Sequence, residues 1–278
     1  MTAAEKKALL LERMDEYGRQ DVCLAFSGGV DSSLLLKLAV DSAASHGTKV
    51  YAVTFDSRLH PACDLENARK VAAELGGIHV VVTVDELSME EIRSNPVDRC
   101  YLCKKQLFGK LLEFAGKMNV PVAMEGTNED DLHVYRPGIR AVRELGVKSP
   151  LAEAGLTKAE VKALAAEYGI SAASRPSTPC MATRLPYGAE LSYEVLEKIE
   201  RGEAVLRELL GGNVRLRLHG DIARIEADRE SLGRAVELGG ELVSRLKALG
   251  FVYITLDLEG FRSGSMDVHI RHLSFRKL

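Results

Sequence analysis

The sequence predicts an α/β protein, with a doubly wound parallel sheet followed by a second, smaller α+β domain. Short apolar runs, which are typical of strands covered by helices on both faces, alternate with helical stretches over the first 185 residues. After that point the order changes to a helix, two strands, a helix and a strand, which is an α+β pattern. A length of 278 residues suits two modest domains, and we place them at residues 1–185 and 186–278.

The elements of the first half follow each other in the order that a parallel sheet requires. Each predicted strand is separated from the next by enough residues for a helical crossover, and such crossovers are right-handed in nearly all proteins. The predicted strands lie at residues 21–26, 49–55, 78–84 and 121–124. The predicted helices lie at residues 1–20, 32–44, 63–75 and 98–118.

The second half has a different pattern. Between the halves, residues 171–186 contain three prolines and several Ser and Thr, so this stretch cannot continue a helix and is predicted as a linker. Beyond it, helices are predicted at residues 192–210 and 231–249, and strands at 213–218, 222–227 and 252–258.

Composition narrows the functional class. Apolar residues make up 46% and charged residues 28% of the chain, as in ordinary globular proteins. The net charge of −3 provides no general field for nucleic acid, and no apolar run reaches the roughly 18 residues that cross a membrane. Five cysteines, an odd number in a chain of this size, indicate a reducing cytoplasm and thiol or metal chemistry.

A polar loop with two glycines joins the first predicted strand to the next helix. In an open parallel sheet this junction lies at the carboxyl edge, where ligands bind. Glycines let a ligand approach the backbone, and the amides at a helix start attract anions. The alternative is an ordinary turn in which Asp31 or Ser32 only caps the helix. The pattern predicts a phosphate site formed by Ser27, Gly28, Gly29, Asp31, Ser32 and Ser33.

The loop sequence S-G-G-V-D-S-S resembles the PP-loop of the ATP-pyrophosphatase family, whose fold is that of the adenine nucleotide α-hydrolases. The resemblance implies that the chain adenylates a substrate with ATP, releases pyrophosphate, and uses Asp31 to help place Mg²⁺. Two other predicted strands end in small polar residues at the same edge. These residues are Thr54, Gly126, Thr127 and Asn128. We predict that they line the adenine and ribose pocket; the alternative is that they only form turns.

Three further residues have the potential for thiol chemistry. Cys100 and Cys103 fall in the first turn of a predicted helix and on one face of it, where the helix N-terminus and basic neighbours favour the thiolate. Cys180 lies among prolines in the predicted linker. A redox pair, half of a zinc site and a 4Fe-4S cluster held by all three thiols are the alternatives. Such a cluster leaves one iron open for an exchangeable sulfide. Cys23 is predicted to belong to the core.

Four further segments narrow the resemblance to the LarE family. They are E-G-T-N at 125–128, R-P-G at 136–138, P-C-x-x-x-R at 179–184 and G-F-R-S-G-S-M-D at 260–267. The resemblance implies an ATP-dependent sulfur transferase acting on pyridinium-3,5-biscarboxylic acid mononucleotide, for the nickel-pincer cofactor of lactate racemase. A substrate carboxylate would be adenylated and then receive sulfide from a 4Fe-4S cluster on Cys100, Cys103 and Cys180. The alternative is sacrificial: Cys180 gives up its own sulfur and becomes dehydroalanine.

One face of a predicted strand in the second half carries Arg215, Arg217 and His219, and a cationic face of this kind suits a phosphate group. The alternative for each residue is a charge on a solvated sheet face. The LarE resemblance implies that the substrate's phosphate and ribose are bound by Arg215, Arg217, Glu226, Glu203 and Arg262, with Arg184 close by.

The resemblance also implies a homo-oligomer, transfer of the product to the nickel-inserting enzyme of the pathway, and a sulfide donor that the sequence does not identify. Two other functions remain open. A tRNA-thiolating enzyme with the same loop is expected to carry a basic face, which the net charge of −3 disfavours. A nucleotide or redox sensor would bind ATP without releasing pyrophosphate.

Overall fold

The computed structural model describes residues 1–60, 62–174, 179–262 and 264–267. The chain divides into two compact units, the first formed by Met1–Ser88 with Val97–Thr178 and the second by Met89–Pro96 with Pro179–Leu278. Residues 175–178 of the predicted linker, and Ser263 of the G-F-R-S-G-S-M-D segment, lie outside the described residues. Each unit has a sheet of its own.

The first unit is built on four parallel strands in the order β3, β2, β1, β4. The strands are β1 (Val22–Ala25), β2 (Val50–Ser57), β3 (Ile78–Val84) and β4 (Val122–Met124). The helices, of which α4 belongs to the second unit, are α1 (Ala3–Gly18), α2 (Val30–His46), α3 (Ala62–Leu75), α4 (Glu90–Arg93), α5 (Arg99–Lys117), α6 (Glu129–Leu132), α7 (Gly138–Glu144), α8 (Pro150–Glu153) and α9 (Lys158–Glu167).

Helices cover both faces of this sheet. Side chains alternate along a strand, so Val22 and Leu24 of β1 pack into a core with residues of α1, α2, α3 and α9. Cys23, between them, points to the opposite core and packs with Phe108 and Leu111 of α5. It is fully buried, and burial raises the pKa of its thiol to about 12. The predicted α/β class, the parallel sheet and the core position of Cys23 are confirmed.

Four of the described helices, which follow β4, are not predicted from the sequence. Three of them, α6, α7 and α8, are only four to seven residues long, too short for a helical period to show. They carry the chain from the end of β4 to α9.

The second unit combines helices with a mixed sheet in the order β5, β6, β7. β5 and β6 are antiparallel, whereas β6 and β7 are parallel. The predicted helix 231–249 is interrupted at Leu238, directly before Gly239 and Gly240, because glycine disfavours a continuous helix. The elements are α10 (Tyr193–Leu210), β5 (Val214–His219), β6 (Ile222–Ala227), α11 (Leu232–Glu237), α12 (Gly239–Ala248) and β7 (Tyr253–Leu256).

Candidate functional site

The phosphate loop, which we define as residues 27–33, turns sharply after β1. Gly28 has a φ of +69°, in the left-handed region. A Cβ at this position would lie 2.7 Å from Asn67 Nδ2 and 2.9 Å from Ala68 Cα. Asn67 Nδ2 also donates a hydrogen bond of 3.0 Å to the Gly28 carbonyl. Helix α3 therefore packs directly against the loop, and glycine is required at position 28.

Hydroxyl and amide groups gather where this loop becomes α2. Gly29 is the N-cap and no described side chain caps the helix, so Asp31 and Ser32 do not act as caps. The hydroxyl oxygens of Ser27 and Ser32 lie 3.2 Å apart. Ser33 Oγ is buried and has no hydrogen-bond partner among the described residues. Hydroxyl donors beside uncapped helix amides suit an anion.

Asp31 is held by two residues from distant parts of the first unit. Asn128 Nδ2 donates to its Oδ1 at 3.1 Å, and Lys158 Nζ forms an ion pair with its Oδ2. Lys158 is not among the site residues predicted from the sequence. A signal for it exists: Lys158 follows Thr157, the N-cap of α9, and Thr157 forms a capping box with Glu160 that predicts a helix start at that lysine.

Glu125, just after β4, is a buried carboxylate that accepts four hydrogen bonds. They come from the Thr127 backbone N at 3.0 Å, Thr127 Oγ1 at 2.9 Å, Ser149 Oγ at 2.6 Å and Lys104 Nζ at 3.2 Å. Burial alone would raise the pKa of Glu125, but the Lys104 charge and the Ser149 and Thr127 hydrogen bonds outweigh it and hold this pKa below its usual value. Glu125 is therefore ionised at neutral pH.

The loop after β4 lies against the phosphate loop. A Cβ on Gly126 would lie 3.1 Å from Asp31 Cβ and 3.2 Å from Ser32 N. Thr127 and Asn128, the next two residues, are buried. The structure thus brings Gly126, Thr127 and Asn128 together with the phosphate loop at the carboxyl edge of the sheet.

Thr54 of β2 is committed to internal contacts. Its Oγ1 donates to the Phe26 carbonyl at 2.8 Å and lies 2.9 Å from His79 Nε2. Burial lowers the pKa of His79, so this imidazole is neutral at pH 7 and can donate to Thr54. Thr54 therefore links β1 to β3, and its predicted contact with the nucleotide stays a prediction.

The three predicted ligand cysteines belong to two units. Cys100 and Cys103 lie near the start of α5, where Cys100 is exposed and Cys103 half-buried. Cys180 is half-buried in the second unit. All five cysteines are described, and none forms a disulfide. Within the described ranges no three His, Cys, Asp or Glu side chains are grouped as a metal site requires, so the cluster on these cysteines stays a prediction.

Arg184 is buried inside the second unit, where it ends a short 3-10 helix, Met181–Arg184, in the predicted linker. Its Nε and Nη2 donate to the two carboxylate oxygens of Glu203 at 2.8 and 3.0 Å. Its Nη1 donates to the carbonyls of Pro179 and Cys180 at 3.0 and 3.2 Å. Arg184 therefore fixes the backbone on which Cys180 sits.

One side of the β5–β6 ribbon forms what we call the arginine face, made of Arg215, Arg217 and Arg224. Arg217 and Arg224 are cross-strand partners, and like charges at such positions repel. Glu226, which is fully buried, joins them: it accepts from Arg217 Nη2 and Arg224 Nη2, both at 3.0 Å. Arg215 forms no ion pair with a described residue; it donates to the Val214 carbonyl at 2.7 Å.

The arginine face has spare cationic donors. Burial, followed by the charge of Arg184, lowers the pKa of Arg215. Burial and the neighbouring arginines also lower the pKa of His219, so its imidazole is neutral at pH 7. Four buried nitrogens in this unit have no hydrogen-bond partner in the described part of the chain, and a bound anion would satisfy them. They are Nε of Arg217, Arg224 and Arg262, and Nε2 of His219.

Comparison with known proteins decides the family. A protein-family profile described as asparagine synthase matches residues 12–100. The chain is 38% identical over 254 residues to an uncharacterized protein of Synechocystis, spanning 90% of this chain and 94% of that protein. It is 36% identical over 266 residues to the pyridinium-3,5-bisthiocarboxylic acid mononucleotide synthase of Lactiplantibacillus plantarum, a LarE protein, spanning 96% of this chain and 95% of the relative. The chain belongs to the LarE family.

Membership of the LarE family confirms the resemblance that the motifs carry and places the chain among the ATP-using PP-loop enzymes. A third relative, an uncharacterized protein of Methanocaldococcus jannaschii, is 31% identical over 249 residues, which span 90% of this chain and 94% of that protein. In the described ranges, no helix is long and apolar enough to cross a membrane.

Proposed function

We propose that this LarE family member is an ATP-dependent sulfur transferase that converts a carboxylate of pyridinium-3,5-biscarboxylic acid mononucleotide into a thiocarboxylate. The observation that carries the proposal is the similarity, over 96% of the chain, to a synthase named for the bisthiocarboxylic product. Two anion-suited sites support it. The phosphate loop of the first unit suits ATP, and the arginine face of the second unit suits the phosphate of the mononucleotide.

In the first step the phosphate loop holds ATP. The hydroxyls of Ser27, Ser32 and Ser33 and the amides at the start of α2 donate to the phosphates. Lys158 leaves Asp31 and binds a phosphate oxygen, which frees the Asp31 carboxylate. That carboxylate is the hard oxygen ligand that Mg²⁺ prefers, and Mg²⁺, when bound, would offset charge on the leaving pyrophosphate. A substrate carboxylate oxygen bonds to the α-phosphorus as the bond to pyrophosphate breaks.

In the second step a sulfur nucleophile replaces AMP at the activated acyl carbon. A carbon–sulfur bond forms, the carbon–oxygen bond to AMP breaks, and AMP leaves with the electron pair. Cys100, Cys103 and Cys180 are the three thiols that would hold the cluster: the first two lie three residues apart near a helix start, and none of the three forms a disulfide. A 4Fe-4S cluster, when bound, would supply sulfide from its open iron.

The arginine face orients the substrate. Arg215, which has no carboxylate partner among the described residues, and the unsatisfied Nε atom of Arg217 donate to the phosphate dianion. Arg262 is not part of this face and pairs with Asp257 and Glu259, but its Nε atom is also unsatisfied and is assigned to the same phosphate. Glu203 and Glu226 are buried and already accept from arginines, so we assign them to positioning the arginines instead of contacting the ribose. This assignment keeps the predicted residue set and changes the task of its two glutamates.

Anaerobic turnover tests the proposal. Purified protein is incubated with ATP, Mg²⁺, sulfide and the biscarboxylic mononucleotide, while pyrophosphate is measured enzymatically and the mononucleotide is followed by mass spectrometry. We expect pyrophosphate release that depends on the mononucleotide, together with exchange of one carboxylate oxygen for sulfur. Asp31→Asn should abolish both. ATP binding without pyrophosphate release would refute the proposal and favour a nucleotide sensor.

The same samples separate the two sulfur sources. Iron and acid-labile sulfide are quantified before turnover, and the mass of the peptide that contains Cys180 is measured after it. Iron that is lost in Cys100→Ala but kept in Cys63→Ala, with an unchanged Cys180 peptide, supports the cluster. Dehydroalanine at position 180 in iron-free protein would overturn the cluster and support sacrificial transfer. Cys63 is a suitable control because it is exposed and lies outside the predicted ligand set.

A further inference from the structure

Lys104 joins the helix that carries two cysteines to the edge of the sheet. It follows Cys103 directly and lies one turn after Cys100 on α5. Its Nζ lies 3.2 Å from Glu125 Oε2, and 5.3 Å from the centre of the Phe108 ring. The Glu125 side chain is only 6% exposed, so this ion pair is shielded on the carboxylate side. A shielded pair restricts where α5 can lie relative to the end of β4.

The same carboxylate also holds the loop that lies against the phosphate loop. Glu125 accepts from the backbone N and the hydroxyl of Thr127 at 3.0 and 2.9 Å. Gly126, which lies between Glu125 and Thr127 in the chain, approaches Asp31 and Ser32 so closely that a Cβ on it would lie 3.1 Å from Asp31 Cβ. One side chain therefore holds the loop after β4, which lies against the phosphate loop, and also bonds to Lys104 of the cysteine helix.

The path of the Lys104 side chain is fixed by the start of α7. A Cβ on Gly138 would lie 2.8 Å from Lys104 Cδ and 3.3 Å from the Cys100 carbonyl oxygen. Because Gly138 has no side chain, α7 packs directly over the Lys104 stem and the first turn of α5. Lys104 is therefore held in place along its stem as well as at its charged end.

We propose that Lys104 is a positioning residue. Through Glu125 it connects the turn carrying Cys100 and Cys103 to the loop after β4, which lies against the phosphate loop, so that nucleotide binding orders that turn. ATP bound at the phosphate loop orders the adjoining loop after β4 and so fixes Thr127. Thr127 in turn fixes Glu125, and Glu125 fixes Lys104. Because coupling between two sites is reciprocal, Lys104 in turn strengthens nucleotide binding. The inference rests on the proposed function, since it takes the phosphate loop to be the ATP site.

Hydrogen exchange on the full chain tests this coupling. The probe is the non-hydrolysable analogue α,β-methylene-ATP with Mg²⁺, its affinity is measured by calorimetry, and amide exchange is followed in peptides covering residues 27–33 and 99–107. In the unsubstituted protein we expect the analogue to slow exchange in both segments. In Lys104→Met we expect slowing only in 27–33, and an affinity at least about fivefold weaker, the lower end of ordinary coupling.

The neighbouring lysine provides the matched control. Lys105 bonds instead to Tyr101 and Glu144 at the surface, so Lys105→Met should keep both effects of the analogue. Lys104→Arg should keep the charge and most of the protection. If Lys104→Met does not fold, Glu125→Gln, which keeps the shape and hydrogen-bond acceptor of the side chain, should show the same loss in 99–107.

The outcomes separate the coupling from the proposed function. Failure of the analogue to bind the unsubstituted protein overturns the ATP site, and the coupling with it. Binding that leaves exchange in 99–107 unchanged overturns only the coupling. Equal losses in Lys104→Met and Lys105→Met also overturn it, because a general weakening of α5 then explains the data.

Discussion

Removing the charge of Arg184 should strongly destabilise the second unit. Arg184 and Glu203 are 1% and 2% exposed and are joined by two hydrogen bonds of 2.8 and 3.0 Å. Arg184→Met leaves the Glu203 carboxylate buried without its partner, which costs about 3–5 kcal/mol of unfolding free energy. Arg207, half-exposed and 3.6 Å from this carboxylate, offsets part of the loss. We therefore expect a decrease of about 3 kcal/mol, at the lower end of that range.

Urea denaturation measures this decrease, followed by far-UV circular dichroism because the chain contains no tryptophan. Arg245 and Glu208, also in the second unit, form a pair of matched geometry, with distances of 2.8 and 2.7 Å, but they are 34% and 63% exposed. Solvent screens that pair, so Arg245→Met should change stability little. Similar effects from the two substitutions would refute the argument from burial.

A double variant extends the same prediction. Arg184→Met combined with Glu203→Leu replaces the buried pair by two apolar side chains, an exchange that is often neutral in protein interiors. We expect it to regain most of the stability that the single substitution loses. A double variant as unstable as Arg184→Met alone would show that lost hydrogen bonds, and not the isolated charge, cause the loss: those from Arg184 to the Pro179 and Cys180 carbonyls, and the one from the Leu216 backbone N to Glu203 Oε1 at 3.1 Å.

Three further outcomes are expected. Gly28→Ala should weaken ATP binding, measured by calorimetry, whereas Gly47→Ala, with a similar φ of +71° but nothing within 4 Å of its Cβ, should not. Inorganic phosphate should raise the pKa of His219, followed by NMR, because a bound anion offsets the charges of Arg224 and Arg217. Burial lowers the pKa of His219 in the folded protein, so as the pH decreases the unfolded chain takes up a proton near pH 6.5, before the folded protein does. The melting temperature should therefore decrease as the pH drops through 6.5. In His219→Gln this decrease should be smaller.

The parts of the fold that can be predicted are those whose signal lies within a short stretch of sequence. The buried strands appear as apolar runs, and the phosphate loop appears as two glycines among serines between a strand and a helix. The register of Arg215 and Arg217 follows from the period of a strand alone, and the structure places both on the face that the alternation predicts.

The rest depends on contacts between segments far apart in the chain. Asp31 is bonded by Lys158, 127 residues later, and Glu125 by Lys104, 21 residues earlier. The capping box of α9 indicates that Lys158 begins a helix, but a single sequence does not show which carboxylate either lysine pairs with. Glu203 and Glu226 illustrate the same limit: the LarE resemblance implies that they bind the substrate, and only the structure shows that each also accepts a hydrogen bond from a buried arginine.

The position of β1 in the middle of its sheet bears on how the chain folds during synthesis. β1 pairs with β2, about 30 residues later, but its other edge pairs with β4, which begins at Val122. A nascent chain emerging from the ribosome therefore exposes the backbone of one edge of β1 until nearly half of the protein has been translated. An exposed edge of this kind recruits foreign strands, so slow translation of the segment before β4 should favour aggregation or chaperone capture.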